Sequence, residues 1–302
     1  MSSATRPWPL LCGPLYHSLV CTTHTISEEG EAILYGNAIV GPPTKGRDPY
    51  CHVKLVYVER DRDAEGEGIV YVCYAGGVEV VNLSTRQWFP SKRVEEGERA
   101  REVMTEMQSV FTLPGTNCLY AVTSVQMGTD GCGIYSYGLD AEGMPRTGLW
   151  ERVSDLPEYM PHGHYSAVVR DSVYFFSSKG VCSYSQTGWE ERCSSATRPS
   201  TDMPQLEEYV CEGEMECLLI GAAPLCRYVA VYALLGETED MHACVYDTVC
   251  DKWVGWASLG CGLRWDFGCG ALGTGEGGRH FLIPDGGVRL CQFDIGSLRG
   301  KQ

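Results

Sequence analysis

The chain has 302 residues, of which 44% are hydrophobic, with 36 glycines, 17 tyrosines, 7 tryptophans and a formal net charge of −15. That apolar share excludes wholesale disorder. The acidity excludes a nucleic-acid or anionic-membrane surface as the main role, because both need clustered Lys and Arg.

In chain order, the start reads MSSATRPWPLLCGPL. Prolines break it, and it lacks the basic region, apolar core and cleavage site of a secretion signal. Short β-branched and aromatic runs bounded by glycine follow, and these predict strands rather than helices. The clearest stretch is Ile69 to Trp88, IVYVCYAGGVEVVNLSTRQW. An apolar run ends at Tyr74, Gly76-Gly77 supply a tight reversal, Val78 to Val81 form a second run, and Trp88 lies six residues after Asn82. The pattern returns at Tyr246-Asp247 with Trp253, again six residues on. It is shortened at Tyr184-Ser185 with Trp189, lengthened at Gly133 to Tyr137 with Trp150, and truncated at Gly286 to Asp294.

Six units result, of about 50 residues each. The first runs from His17 through Ala32 to Tyr35 and on to His52 and Val58. The second is Ile69 to Trp88, with Val53 to Val58 as its alternative first strand. The others are Val110 to Trp150, Tyr165 to Trp189, Leu218 to Trp253, and Phe267 to Phe293. The last unit lacks a Trp strand, and Trp8 at the N-terminus is expected to supply it and so close a ring. Val94 to Phe111 is the one stretch with helical spacing (Val103, Met107, Val110, Phe111). The hexapeptide SSATRP occurs at Ser2 to Pro7 and again at Ser194 to Pro199, which adds weak support for duplication.

These residues resemble the kelch-repeat family, whose blades carry an apolar strand ending in Gly-Gly, an aromatic-polar pair, and Trp six residues after the polar member. Tyr74 to Trp88 matches every element, Tyr246-Asp247 to Trp253 the second half, and Asp285 to Asp294 the Gly-Gly half. The resemblance implies a single domain over residues 1–302, an all-β, six-bladed kelch-like β-propeller closed by the N-terminal strand. Each blade can bury its faces only by stacking on its neighbours.

The sixteen cysteines fall below the density of a disulfide scaffold. Cys73, Cys118, Cys182, Cys244 and Cys291 lie in apolar runs, where Cys acts as a small hydrophobe. No run reaches the ~18 apolar residues of a membrane span. A soluble protein of the cytoplasm or nucleus with free thiols is expected. Gly273-x-Gly275-x-x-Gly278 matches a dinucleotide pattern, but His280 to Pro284 reads as a strand where a helix is required. It is therefore a hairpin loop. Asn82-Leu83-Ser84 fits a glycosylation acceptor but lies at a blade corner in a chain without a secretion signal. The Cys211/Cys217 and Cys244/Cys250 pairs have five intervening residues, which is not zinc spacing.

The family builds its binding face at the start of each first strand, often with Arg. Here Arg264 beside Trp265 fits, whereas Tyr16 and His17, Gln108, and His162 and His164 depart from the pattern. An Arg at a channel mouth suits bidentate carboxylate recognition. His162-Gly163-His164 lacks a third ligand at readable spacing, so no metal and no cofactor is expected. The expectation is a non-catalytic protein–protein interaction module, a scaffold or partner-recognition subunit, with partner-binding residues Arg264, Trp265, His162, His164, His17, Tyr16 and Gln108 and no catalytic set. The alternative is an enzyme acting on a sugar or carbonyl compound at the channel mouth. Some kelch-type propellers are copper oxidases, which makes that chemistry part of the alternative.

Overall fold

The computed structural model describes residues 8–15, 18–26, 32–34, 39–40, 54–60, 67–74, 77–89, 107–123, 133–146, 150–157, 165–177, 180–194, 218–225, 227–235, 240–261, 280–284 and 288–292. Among them the fold is all-β, with antiparallel pairing in every sheet.

The first sheet holds β1 (Trp8–Leu15), β2 (Ser18–Ile26), β3 (Ala32–Leu34) and β4 (Ile39–Val40), with β1, β3 and β4 all pairing with β2. The second is β5 (Lys54–Arg60), β6 (Glu67–Tyr74), β7 (Gly77–Asn82) and β8 (Gln87–Phe89). The third is β9 (Met107–Thr112), β10 (Cys118–Thr123), β11 (Gly133–Gly138) and β12 (Glu151–Asp155). The fourth is β13 (Tyr165–Val169), β14 (Ser172–Ser177), β15 (Gly180–Ser185) and β16 (Gly188–Ser194). The fifth is β17 (Leu218–Leu225), β18 (Tyr228–Leu235), β19 (Asp240–Asp247) and β20 (Lys252–Cys261). A hairpin of β21 (His280–Pro284) and β22 (Val288–Gln292) forms the sixth. Sheets two to five are meanders in which each strand bonds to the next in sequence. Short connections enforce that order, since tight reversals can join only antiparallel neighbours. Tyr74 pairs with Gly77 and Ser177 with Gly180.

The chain divides into two compact units, Met1–Leu156 and Pro157–Gln302. In the first unit, sheets two and three pack against each other. Val56, Tyr71, Cys73 and Val80 from one meet Leu119, Ala121, Tyr137 and Trp150 from the other. The Tyr71 hydroxyl crosses this layer to donate to the Gly143 carbonyl at 2.8 Å. In the second unit, Val169, Tyr174, Phe176 and Val181 of sheet four meet Val229, Val231 and Tyr246 of sheet five, with Trp253 packed against them. The first strands of neighbouring sheets are in contact, β5 with β9 and β13 with β17. Each large apolar side chain so enclosed contributes about 1.5–3 kcal/mol, which no sheet could gain alone.

Outer strands leave hydrogen-bonding edges that invite wrong pairing. Here β12, β16 and β20 each carry a bulge against their inner neighbour. The unpaired residues are Val153, Arg192 and, in β20, Val254 and Leu259. Bulges twist an edge away from flat pairing.

Three expectations are corrected or refined. Trp8 lies in β1, which pairs with β2 (Trp8 opposite His24), so the N-terminal strand belongs to the first sheet rather than completing the last. A neighbouring strand reached through residues 16–17 closes a far shorter loop than the other terminus would. Lys54–Arg60 is the first strand of the second sheet, so the first unit is the shorter one. The helical spacing up to Phe111 is overridden, because Met107–Thr112 pairs with β10 as a strand. Sheet pairing outweighs a weak local preference. Positions 90–106 and 273–278 lie outside the described residues.

Candidate functional site

Strands one and three of each meander run the same way, so the turn after strand one and the turn after strand three close the same end of the sheet. That end has a repeated construction. In sheet two, Asn82 Oδ1 accepts from the amides of Ser84 (3.0 Å) and Thr85 (2.9 Å), and the Leu83 amide donates to the Gly68 carbonyl (2.9 Å). In sheet five, Asp247 Oδ1 accepts from Val249 (3.0 Å) and Cys250 (3.2 Å), and the Thr248 amide donates to the Arg227 carbonyl (3.0 Å). Side-chain capping of this kind replaces the ladder bonds the turn forgoes.

Four residues after the cap, Arg86 (φ 57°) and Asp251 (φ 53°) adopt the left-handed conformation that returns the chain. Gln87 and Lys252 then pair with the caps, so Trp88 faces Val81 and Trp253 faces Tyr246. The six-residue spacing is therefore the cap followed by one residue whose amide bonds the neighbouring turn, two capped amides, one left-handed residue, one paired residue and the Trp. Sheet four reaches the same register with two residues fewer. Ser185 Oγ accepts from the Thr187 amide (3.2 Å), Gly188 (φ 109°) pairs with Ser185, and Trp189 faces Tyr184. In sheet three the loop is long. Asp140 accepts from the Met144 amide (2.7 Å), and the register Ser136–Glu151 brings Trp150 beside Tyr137, with ring centroids 5.2 Å apart.

The indoles are held by partners in their own sheets, and Trp253 also meets Phe176 of sheet four, 6.0 Å between ring centroids. Trp88 Nε1 donates to the buried Glu79 carboxylate at 2.7 Å. Trp189 lies 5.0 Å from Tyr184 and 5.3 Å from Phe175, and Trp253 lies 5.4 Å from Tyr246. Such contacts add about 0.5–1.5 kcal/mol each beyond burial.

Charge is sorted at this end. Asp247 is buried, and its Oδ2 meets Arg227 Nη2 at 3.0 Å. Burial pushes the Asp247 carboxyl up, but the Cys250 and Val249 amides and the Arg227 guanidinium outweigh it and hold the group below its ordinary value. Arg227 also lies over the Tyr228 ring, 4.7 Å from its centroid, and donates to the Tyr228 hydroxyl at 2.7 Å. That hydrogen bond is the largest influence raising the Arg227 guanidinium. Asp251 accepts from the Tyr246 hydroxyl.

The thiols are packing groups. Cys73, Cys182 and Cys244 are buried. Burial pushes Cys73 up to about 12, and burial with the Glu191 charge does the same for Cys182. Both stay protonated at neutral pH, unsuited to nucleophilic or metal-ligand work. Cys250 is exposed. Among the described residues there is no group of three His, Cys, Asp or Glu arranged to hold a metal ion.

Of the residues singled out from sequence, Tyr16, His17, His162, His164, Arg264 and Trp265 lie outside the described residues. Gln108 is the bulged residue of β9, between the Met107–Thr123 and Ser109–Val122 pairs. The described residues therefore do not bring these positions into one site. They define instead the turn ends of the sheets, where Asp247 is the polar position of the Trp-spacing pattern and Arg227 and Arg170 are features the sequence reading does not select. Their signal is nonetheless in the sequence, since Arg170 and Arg227 each stand at a break between two apolar runs.

No protein-family model and no curated protein matches this sequence. Solved structures with some likeness include hydrazine synthase from Kuenenia stuttgartiensis, at 13% identity and a TM-score of 0.42, covering 100% of this chain and 81% of that one. A puromycin-hydrolyzing peptidase from Mycobacterium tuberculosis has 11% identity and a TM-score of 0.44, covering 98% and 46%. AztD from Citrobacter koseri has 10% identity and a TM-score of 0.37, covering 96% and 74%. Likenesses at this level carry no argument about fold or activity.

Proposed function

We propose that the chain is a six-bladed kelch-like β-propeller, each sheet a blade, and that it serves as a non-catalytic interaction module whose loops recognise a protein partner. One constant frame bearing loops of different length supports this. The third-to-fourth-strand connection spans residues 83–86 and 248–251 in two sheets, 186–187 in another and 139–150 in a fourth, while the Trp register stays the same. A frame that tolerates such exchange can diversify its surface without losing its core, which suits partner recognition. Arg264, beside Trp265, is the first position to test, since the kelch resemblance assigns it to the face where first strands begin. A cytoplasmic or nuclear partner is expected.

The test is affinity purification of the tagged protein from its native cell, with Arg264→Glu alongside, followed by reconstitution from purified components. A stoichiometric partner lost in the variant supports both the module and that face. A partner retained by the variant supports the module and rules Arg264 out. Reproducible recovery of the protein alone at low salt refutes the module. Metal analysis and small-molecule screens would then take up the oxidase or sugar/carbonyl alternative.

A further inference from the structure

The long connection of sheet three is built differently from the tight corners. Its base is fixed to its own sheet. The Leu139 amide donates to the Asn117 carbonyl (2.7 Å), the Arg146 amide to the Gly138 carbonyl (3.0 Å), and a bridge joins Leu139 to Pro145. Its tip, Asp140 to Met144, closes on itself. The Asp140 amide donates to the Met144 carbonyl (2.9 Å), the Gly143 amide to the Asp140 carbonyl (3.0 Å), and the Met144 amide to Asp140 Oδ1 (2.7 Å). The tip therefore keeps its shape without help from a neighbouring sheet.

That tip nonetheless leans on sheet two. The enclosed Tyr71 hydroxyl of β6 donates to the Gly143 carbonyl at 2.8 Å, and Met144 packs against the core shared by the two sheets. Ala141 and Glu142 beside them are exposed. A second observation lies in the same core. Trp150, which ends this connection, is buried beside Tyr137, and its Nε1 has no acceptor among the described residues. Trp88, by contrast, donates to Glu79. A buried indole N–H normally finds a partner. Seated, the tip gains the Tyr71 bond and the Met144 contact while the Trp150 donor goes unmet. Lifted, it gives up both and water reaches that donor. Gains and losses of similar size keep two such states close in free energy.

We propose that Asp140 to Met144 form a flap latched by the Tyr71 hydroxyl, which lifts from sheet two while both sheets stay folded, uncovering Met144 and admitting water to the Trp150 indole. Local opening of this kind draws on segments with few buried contacts and leaves the strands beneath intact. One hydroxyl then governs how much apolar surface the turn end of sheet three presents. The flap goes beyond the interaction-module reading and holds or fails without a partner.

Hydrogen exchange of the Trp150 indole N–H in the full chain tests it, followed by NMR with Trp150→Phe to assign the signal. The Ala121 amide reports global unfolding, because β10 is paired on both sides. Corrected for intrinsic rates, the wild-type Trp150 N–H should exchange at least about tenfold faster than Ala121 and depend little on added urea. Tyr71→Phe should raise it about tenfold again. Val72→Ala truncates a buried side chain on the other face of the same strand. It should speed Ala121 exchange and leave Trp150 unaltered, since seated and lifted states lose the same contacts. Trp150 exchange that tracks Ala121 in urea or in Val72→Ala would overturn the flap, as would no rise in Tyr71→Phe. Should Tyr71→Phe fail to fold, the wild-type and Val72→Ala measurements decide it. Capture of a partner reads the module separately.

Discussion

Asp247→Ala removes one acceptor that serves two backbone amides, at 3.0 and 3.2 Å, in a buried corner. Val249 and Cys250 are themselves exposed, so their freed amides regain water. Each lost bond then costs about 1 kcal/mol, the usual value where the freed donor is rehydrated, which makes about 2 kcal/mol together, within the range for losing a capping side chain. The Arg227 pair, half-exposed on its guanidinium side, is left out of that sum. For a chain of 302 residues such a loss lowers Tm by about 3 °C. Asp247→Asn keeps the acceptor oxygen, as Asn82 does at the equivalent corner, and should cost less than about 1 kcal/mol. Urea unfolding followed by tryptophan fluorescence, with Trp253 packed on Tyr246, measures both. A loss under about 0.5 kcal/mol for Asp247→Ala, or equal losses for Ala and Asn, would refute the capping argument.

The same residue predicts a pH response. Its carboxyl is held below the ordinary value when folded, so its contribution is complete above about pH 4 and is lost as pH falls through the folded value; Asp247→Asn should flatten that part of the acid-unfolding profile. Trp88→Phe leaves the buried Glu79 carboxylate without its indole donor, and should cost about 1.5–3 kcal/mol in chemical unfolding. At Gly188, φ is 109° and the space a Cβ would occupy is open, so Gly188→Ala should cost about 1 kcal/mol from backbone strain alone, read from the same unfolding curves. Gly133→Ala puts Cβ 2.9 Å from the Ser154 carbonyl oxygen and should cost about 1–3 kcal/mol by forcing β11 and β12 apart; a neutral result in thermal melts would remove the close-contact argument. A thiol reagent should label Cys250 in the native protein and reach Cys73 and Cys182 only on unfolding, as mass mapping of the adducts would show.

Much of the local architecture is legible in the residues. Gly76-Gly77, the apolar run ending at Tyr74 and the polar-to-Trp spacing at Asn82 and Asp247 specify strands, reversals and corners, because each is decided by neighbours a few positions away. The buried cysteines are legible for the same reason, since Cys73, Cys182 and Cys244 lie within apolar runs. Two local signals mislead. The spacing of Met107, Val110 and Phe111 suits a helix, but pairing with Cys118–Thr123 offers that segment a complete set of backbone partners and a buried face. Trp8 fits the pattern of a missing outer strand, yet it pairs across residues 16–17 with the strand beginning at Ser18.

What only the tertiary structure decided is what each polar group faces. By sequence alone Arg152, Arg170, Arg192 and Arg227 are equivalent charges in β-rich surroundings. The fold ties Arg152 and Arg192 to carboxylates along outer strands, sets Arg227 against Asp247 at the far end of the next strand but one, and presents Arg170 to solvent at a turn. Likewise Glu79 lies in the second sheet and Glu142 in the loop between the third and fourth strands of the third, and only Glu79 is enclosed, under the Trp88 indole. Strand formation follows from local periodicity and turn chemistry. The fate of a charge follows from which strand lies beside it, and that is set by pairings and sheet packing that join residues far apart in the chain.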